Sequence, residues 1–313
     1  MSAWGPVSAA AVAPAGLPAG SGPRSLGSRL GAFVALTKPR IIELLLVTTL
    51  PTMFVAAQGL PPISLMVATL VGGTLAAGGA NAINMFVDRD IDAVMHRTAR
   101  RPLVTGAVSP AAALIFAVSL EVIAFAELWT AVNLLSAVLA VSATLFYVFV
   151  YTLWLKRSSR QNIVIGGAAG AVPVLVGWAA VTGTVGLAPL LLFALIFVWT
   201  PPHFWALAIK YREDYASVDV PMMPVVATFE RTARVILAYS VLVVVVSAAF
   251  GWSAQMGPLY WAAALVCGGT FVAFATRLYL VRTERRAMVL FHWSISYVTL
   301  LFAAMAVDEL IRH

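Results

Sequence analysis

Long apolar stretches separated by short polar breaks occupy nearly all of the chain beyond residue 40. An α-helix needs ~20 consecutive apolar residues to cross a bilayer. Nine stretches approach or reach that length, at about 41 to 58, 63 to 87, 108 to 128, 132 to 154, 163 to 183, 186 to 209, 234 to 252, 258 to 280 and 288 to 307. The breaks alternate in kind. Those after the first, third, fifth and seventh stretches (QGLPP, around LWTAVN, TGTVG, AQMG) carry no Lys or Arg. The even breaks, with the amino-terminal segment and the flanking helix ends, hold 19 of the 20 basic residues and leave only Arg312. A wrong span count would scramble this alternation. Because basic loops stay on the cytoplasmic side, the amino terminus and the even breaks are expected in the cytoplasm and the carboxy terminus outside. The pattern predicts an all-α membrane protein of nine transmembrane helices.

Composition agrees. Of 313 residues, 61% are hydrophobic and 11% charged, with a mean hydropathy of +0.94, which excludes an ordinary soluble domain. The net charge of +7 does not point to nucleic acid, because the basic residues lie between spans rather than along one exposed face. Cys267, the single cysteine, lies in an apolar run and excludes a disulfide framework or a CxxC metal site. Residues 1–30, rich in Ala, Gly, Pro and Ser, are expected to form a disordered cytoplasmic tail ahead of one membrane domain, 31–313.

The candidate chemistry sits at the polar edge of the second span, in NMFVDRDIDAVMHRTARRP (Asn84 to Pro102). Asn84, Asp88 and Asp92 recur every fourth residue, so on a helix they drift only about 40° per step and share a face. Asp90 points elsewhere. Converging oxygens suit a hard cation such as Mg2+, which is bound through one or two carboxylates plus substrate phosphate. Arg97, Arg100 and Arg101 supply cations that a diphosphate would need. Acidic groups at membrane depth are costly enough to suggest function.

A second polar set, KYREDYASVDVPMMP, follows the sixth span, with Lys210 and Asp214 one turn apart. Read alone, that pair is either a surface ion pair or the other half of a site. Between the two sets, Lys156, Arg157 and Arg160 precede Asn162 and a small-residue run, IGGAAGAVP, that suits close helix packing. Glu43 can pair with Arg40, Glu127 can reach water, and Glu121 has no obvious place. His203 and His292 lie in or near spans, where a histidine serves as an interhelical hydrogen-bonding group or as a ligand.

These segments together resemble a known family. NMFVDRDIDAVMHRTARRPL is similar to the first aspartate-rich motif, NxxxDxxxD, of the UbiA-type intramembrane prenyltransferases. YTLWLKRSSRQNIVIGGAAGAVP, WTPPHFWALAIKYREDY and VPMMPVV resemble the branch that farnesylates haem, and the likeness covers about Leu36 to Asp308. The resemblance implies helices around a central cavity with a cytoplasmic-side active site, using farnesyl diphosphate and haem B as substrates and Mg2+ as cofactor. It implies that Asn84, Asp88 and Asp92 hold metal and diphosphate, and that Lys38, Arg97, Arg101, Lys156 and Arg157 fall at or near diphosphate-holding positions. Asn162 and His203 are implied as substrate contacts. Asp214 matches the last acid of the second motif. Lys210 departs from the wider family, which has an acid there, so a symmetric second metal site is not expected and Lys210 is read as touching phosphate or a haem propionate.

The implied product is haem O, with a haem A synthase or terminal oxidase downstream. The implied location is a bacterial-type inner membrane, ahead of the mitochondrial inner membrane. A prenyltransferase for a quinone precursor is the alternative within the fold, and a cation- or proton-coupled transporter the alternative outside it.

Overall fold

The computed structural model describes residues 26–312, so residues 1–25 of the expected tail lie outside the described residues. The chain is helical from Leu26, where α1 (Leu26–Leu36) begins. It continues through α2 (Pro39–Ala57), α3 (Ile63–Val87) and the short α4 (Arg89–Val94). Next come α5 (Pro110–Glu127), ending in a π-wound turn at Leu128–Val132, and α6 (Leu134–Leu145). The α6 rod goes on as a π-helix over Phe146–Leu155 and closes with α7 (Lys156–Ser158). Then follow α8 (Asn162–Thr182), α9 (Leu187–Lys210), the short α10 (Arg212–Ala216) and α11 (Met223–Val226). The long helices α12 (Phe229–Ser253), α13 (Pro258–Val281) and α14 (Glu284–Arg312) complete the chain.

Helix starts follow from local chemistry. Pro39, Pro110 and Pro258 occupy first turns, where no amide is needed. Ser109, Asn133 and Thr228 accept amides from the first turns of α5, α6 and α12. Eight helices are long and apolar enough to span a membrane. The ninth expected span is α2, whose charged first turn leaves a shorter apolar segment, Leu45–Ala57, so the count of nine holds only approximately. Helix α1, within and beyond the expected tail, is an addition, packed against α3 and α5 with Phe33 edge-on to Phe116 at 5.1 Å.

Neighbouring helices pair as α3 with α5, α8 with α9, α9 with α12, α12 with α13 and α13 with α14. Because α14 returns to α9 and α2, and α2 also meets α8 and α3, the bundle closes around a centre. Small residues permit the closest crossings. A Cβ on Gly177 would stand 2.7 Å from the Thr49 carbonyl oxygen of α2, too close for any side chain. Outward faces stay apolar, with Trp252 and Leu265 82% and 76% exposed, as lipid contact requires. At the end of the bundle away from the Asp88 cluster, the buried Asp308 carboxylate accepts the amides of Gly257, Leu259 and Tyr260 and caps α13 from across the fold.

Candidate active site

The closed ring encloses a cavity of about 570 Å³. Its deep wall is mostly apolar, with Leu45 and Leu46 from α2, Ala76 and Ala77 from α3, and Val172 and Val176 from α8. Its charged groups come from the ends of helices that the charge pattern assigned to one membrane side. Lys38, Arg40, Arg97, Arg101 and Lys156 line it, and Asp92 is the only lining acid among the described residues. A mouth so biased toward positive charge draws in a polyanion.

The aspartate motif straddles a break. Helix α3 ends at Asp88 (φ −83°, ψ 3°) and α4 starts one residue later. The hydrogen-bond ladder survives, since the Asp88 amide donates to the Asn84 carbonyl and the Asp92 amide to the Asp88 carbonyl, each at 2.9 Å. Asn84 Nδ2 donates to Asp88 Oδ2 at 2.7 Å and to Thr152 Oγ1 at 3.1 Å, while Asn84 Oδ1 accepts from Lys38 Nζ at 2.7 Å. Each buried carboxylate has its cation: Lys156 Nζ donates to Asp88 Oδ2, and Arg101 Nη1 to Asp92 Oδ2 at 2.5 Å. Pairing is what allows two carboxylates with 0% and 2% exposed side chains to stay charged.

Lys38 sits between α1 and α2 in the left-handed conformation (φ 53°), a strain of about 1 kcal/mol for a residue with a Cβ. Desolvation, helped by the nearby Arg101 and Lys156 charges and opposed by Asp88 and Asp92, brings its ammonium down to about 7.

Two buried oxygens remain without a hydrogen bond, Asp88 Oδ1 and Asn162 Oδ1. With Asp92 and the Asn84 amide oxygen they form a hard-oxygen donor set that fits Mg2+ once Lys38, Lys156 and Arg101 turn to an arriving diphosphate. Among the described residues no three His, Cys, Asp or Glu side chains come together, so the protein alone offers an incomplete cation shell.

The second polar set is placed differently. Helix α9 ends at Lys210, and Tyr211 (φ −101°, ψ 26°) turns the chain, so the expected one-turn spacing of Lys210 and Asp214 is lost and they form no ion pair. Lys210 is exposed, its Nζ 5.7 Å from the Tyr211 ring centre. Asp214 accepts the backbone amides of His96 at 3.3 Å and Arg97 at 3.1 Å, fastening the basic loop after α4. Arg97 is further held over the rings of Tyr211 and Tyr215, at 5.5 and 5.9 Å. Lys210, Asp214, Arg157 and Asn162 are therefore not cavity-lining residues.

Arg157 forks onto Asp90, with contacts of 2.6 and 2.7 Å, and stands 3.8 Å from Asp88 Oδ1. That hydrogen-bonded fork holds the Asp90 carboxyl at about 2, so the aspartate left out of the motif braces a neighbouring cation. His292 faces outward and bonds Met288 of its own helix, whereas His203 lines the cavity. Glu121 accepts from Thr144 Oγ1 at 3.1 Å, so it has a hydrogen-bonding partner, and Glu43 is exposed and forms no ion pair with Arg40 among the described residues.

Arg40, Tyr147, Tyr151 and Thr152 escaped the sequence reading. The two tyrosines line the cavity, stacked at 5.4 Å. Tyr147 and Lys156 are nine positions apart, so α-helical winding would set them about 180° apart. The π-helix over Phe146–Leu155 unwinds that difference, and Tyr147, Tyr151 and Lys156 all reach the same cavity. Stretches of π-helix often sit at functional sites, and no side-chain pattern announces this one.

A closed membrane bundle, a mostly apolar chamber and a mouth of paired carboxylates and cations define an intramembrane enzyme class that handles greasy molecules with anionic heads. The chain belongs to the UbiA prenyltransferase family, which it matches over residues 45–296. It is 52% identical to the protoheme IX farnesyltransferase of Streptomyces coelicolor over 92% of this chain and 94% of that one. It is 55% identical to the protein of that name from Parafrankia sp., over 90% and 91%. Among solved structures, a digeranylgeranylglyceryl phosphate synthase superposes with a TM-score of 0.75 at 16% identity, covering 90% of this chain and 99% of that one. A UbiA homolog from Archaeoglobus fulgidus, solved with GPP and Mg2+, superposes with a TM-score of 0.63 at 17% identity, covering 88% and 99%. At those identities the likeness concerns the fold.

Proposed function

We propose that the protein transfers the farnesyl group of farnesyl diphosphate to a vinyl group of haem B, with addition of water, to give haem O and diphosphate. The observation that carries this reading is the cavity itself, mostly apolar at depth and ringed at its mouth by five cations around a carboxylate motif. The names of the relatives just described, at more than half identity over most of both chains, support haem as acceptor.

In this reading Asp88 and Asp92, with Asn84, hold Mg2+, which neutralises the leaving diphosphate. Lys38, Arg97, Arg101 and Lys156 take up diphosphate oxygens and stabilise the charge that grows on them as the carbon–oxygen bond breaks. Both electrons of that bond leave with diphosphate. The vinyl π electrons form the new carbon–carbon bond, the porphyrin spreads the resulting positive charge, and one water adds its oxygen and returns its surplus proton to solvent. The apolar walls keep bulk water from the allylic cation until that moment.

Asp214 serves by positioning the loop that carries Arg97 and Arg101. The basic loops support a site open to the cytoplasm of a bacterial-type inner membrane, with a haem A synthase or terminal oxidase receiving the product. Chromatography of haems extracted from membranes making the protein, supplied with labelled farnesyl diphosphate, tests the reading. A labelled, more hydrophobic haem absent from Asp88→Asn membranes is expected. An unchanged haem profile with good expression and both substrates present would transfer the reading to a quinone-precursor prenyltransferase.

A further inference from the structure

His203 is held in a way that its packing does not require. It stacks on Trp199, one turn earlier in α9, at 4.3 Å between ring centres, and on Phe291 of α14 at 4.8 Å. Its Nδ1 lies 2.7 Å from Ser294 Oγ. That hydroxyl has one proton and gives it to the Phe291 carbonyl at 2.6 Å, so toward His203 it can only accept. Neutral His203 therefore carries its proton on Nδ1, leaving a lone pair on Nε2. Among the described residues nothing pairs with Nε2, while the ring lines the cavity. Trp199 Nε1 donates to the Ser294 carbonyl at 2.9 Å, so both ring and orienting serine are pinned between α9 and α14.

An imidazole with one nitrogen hydrogen-bonded from behind and the other bare is how proteins present histidine to a metal. In the described residues the aspartates near the mouth are already matched with cations, and His203 has no acid beside it. Resting on the haem reading above, we infer that His203 Nε2 is an axial ligand of the iron of the porphyrin substrate. Imidazole suits iron and is a common haem ligand. The bond would anchor the porphyrin at its centre, leaving the edge that carries the vinyl groups free to meet the allylic carbon, and Ser294 is a positioning residue for that ligand.

The test is a spectroscopic titration of the purified full-length protein with ferric haem and, separately, with iron-free protoporphyrin IX. Intact protein should give the absorption and spin-resonance signature of histidine-bound haem. His203→Ala should lose that signature, weaken haem binding on the order of tenfold to a hundredfold, regain the signature with added imidazole, and bind the iron-free porphyrin as the intact protein does. Ser294→Ala should keep the signature with haem binding weakened on the order of tenfold. An unaltered haem spectrum in His203→Ala, or an equal loss of haem and iron-free porphyrin binding, would overturn the ligand assignment while leaving the haem reading standing. If intact, folded protein binds neither porphyrin, the haem reading fails and takes the inference with it.

Discussion

The two aspartate-bearing segments look like partners in the sequence and do different jobs in the fold. At Asn84 to Asp92 the helix breaks without losing its ladder, so two carboxylates sink into the bundle, each against a cation that a diphosphate can draw away. At Lys210 to Asp214 the break at Tyr211 parts the residues, and the acid spends itself on backbone amides of the facing loop. A motif's chemistry depends on whether the helix around it stays in phase. The first segment is built to exchange partners, the second to keep them.

The sharpest test of that contrast lies in the first segment. Asp88→Asn and Asp92→Asn should each lower turnover about 10²- to 10³-fold, ~3–4 kcal/mol of barrier. The isosteric change keeps the fold, so thermal unfolding in detergent should move little beside it. Turnover within about twofold of the intact protein, with magnesium dependence kept, would remove both residues from the chemistry.

Lys156→Met comes next. It leaves Asp88 buried without its cation, and breaking such a pair typically destabilises by about 3–5 kcal/mol. A clear drop in melting temperature and weaker diphosphate binding by calorimetry are expected together. A stable variant of unchanged affinity would mean that the pair is ornamental. Asp214→Asn keeps one acceptor oxygen and loses the other, so it should loosen the loop of Arg97 and lower kcat/KM about tenfold, mainly through KM. A fall in kcat at constant KM would return Asp214 to the chemical step. Lys210→Ala removes an exposed contact with Tyr211 worth about 0.5 kcal/mol, and steady-state rates should stay within about twofold. A large loss would show that Lys210 swings in to meet substrate.

Much of this was legible beforehand because its causes are local or global rather than intermediate. Span number and the grouping of the basic loops follow from runs of apolar residues and the placement of Lys and Arg, and the facing of Asn84, Asp88 and Asp92 follows from helical phase. What escaped depends on departures from regular winding. Lys210 and Asp214 share a face only if α9 continues past Tyr211, which it does not. Tyr147 and Tyr151 looked like lipid-facing aromatics because α-helical phase separates them from Lys156. Arg40, read as a marker of the membrane edge, lies so near the mouth that edge and site coincide. Asp90 was rightly set apart by angle, yet angle could not reveal its grip on Arg157.

The π-wound segment Phe146–Leu155 has a genealogical consequence. Such a segment arises naturally when a single codon is inserted into a regular helix, because the surplus residue is absorbed as a wider coil rather than passed along the rod. The helix thereby retains the record of an insertion that rotated everything beyond it, and Lys156 is the residue carried round. An ancestor lacking that codon would have turned the lysine away from Asp88, so a one-residue event, invisible to any tally of substitutions, is enough to give the cavity a cation.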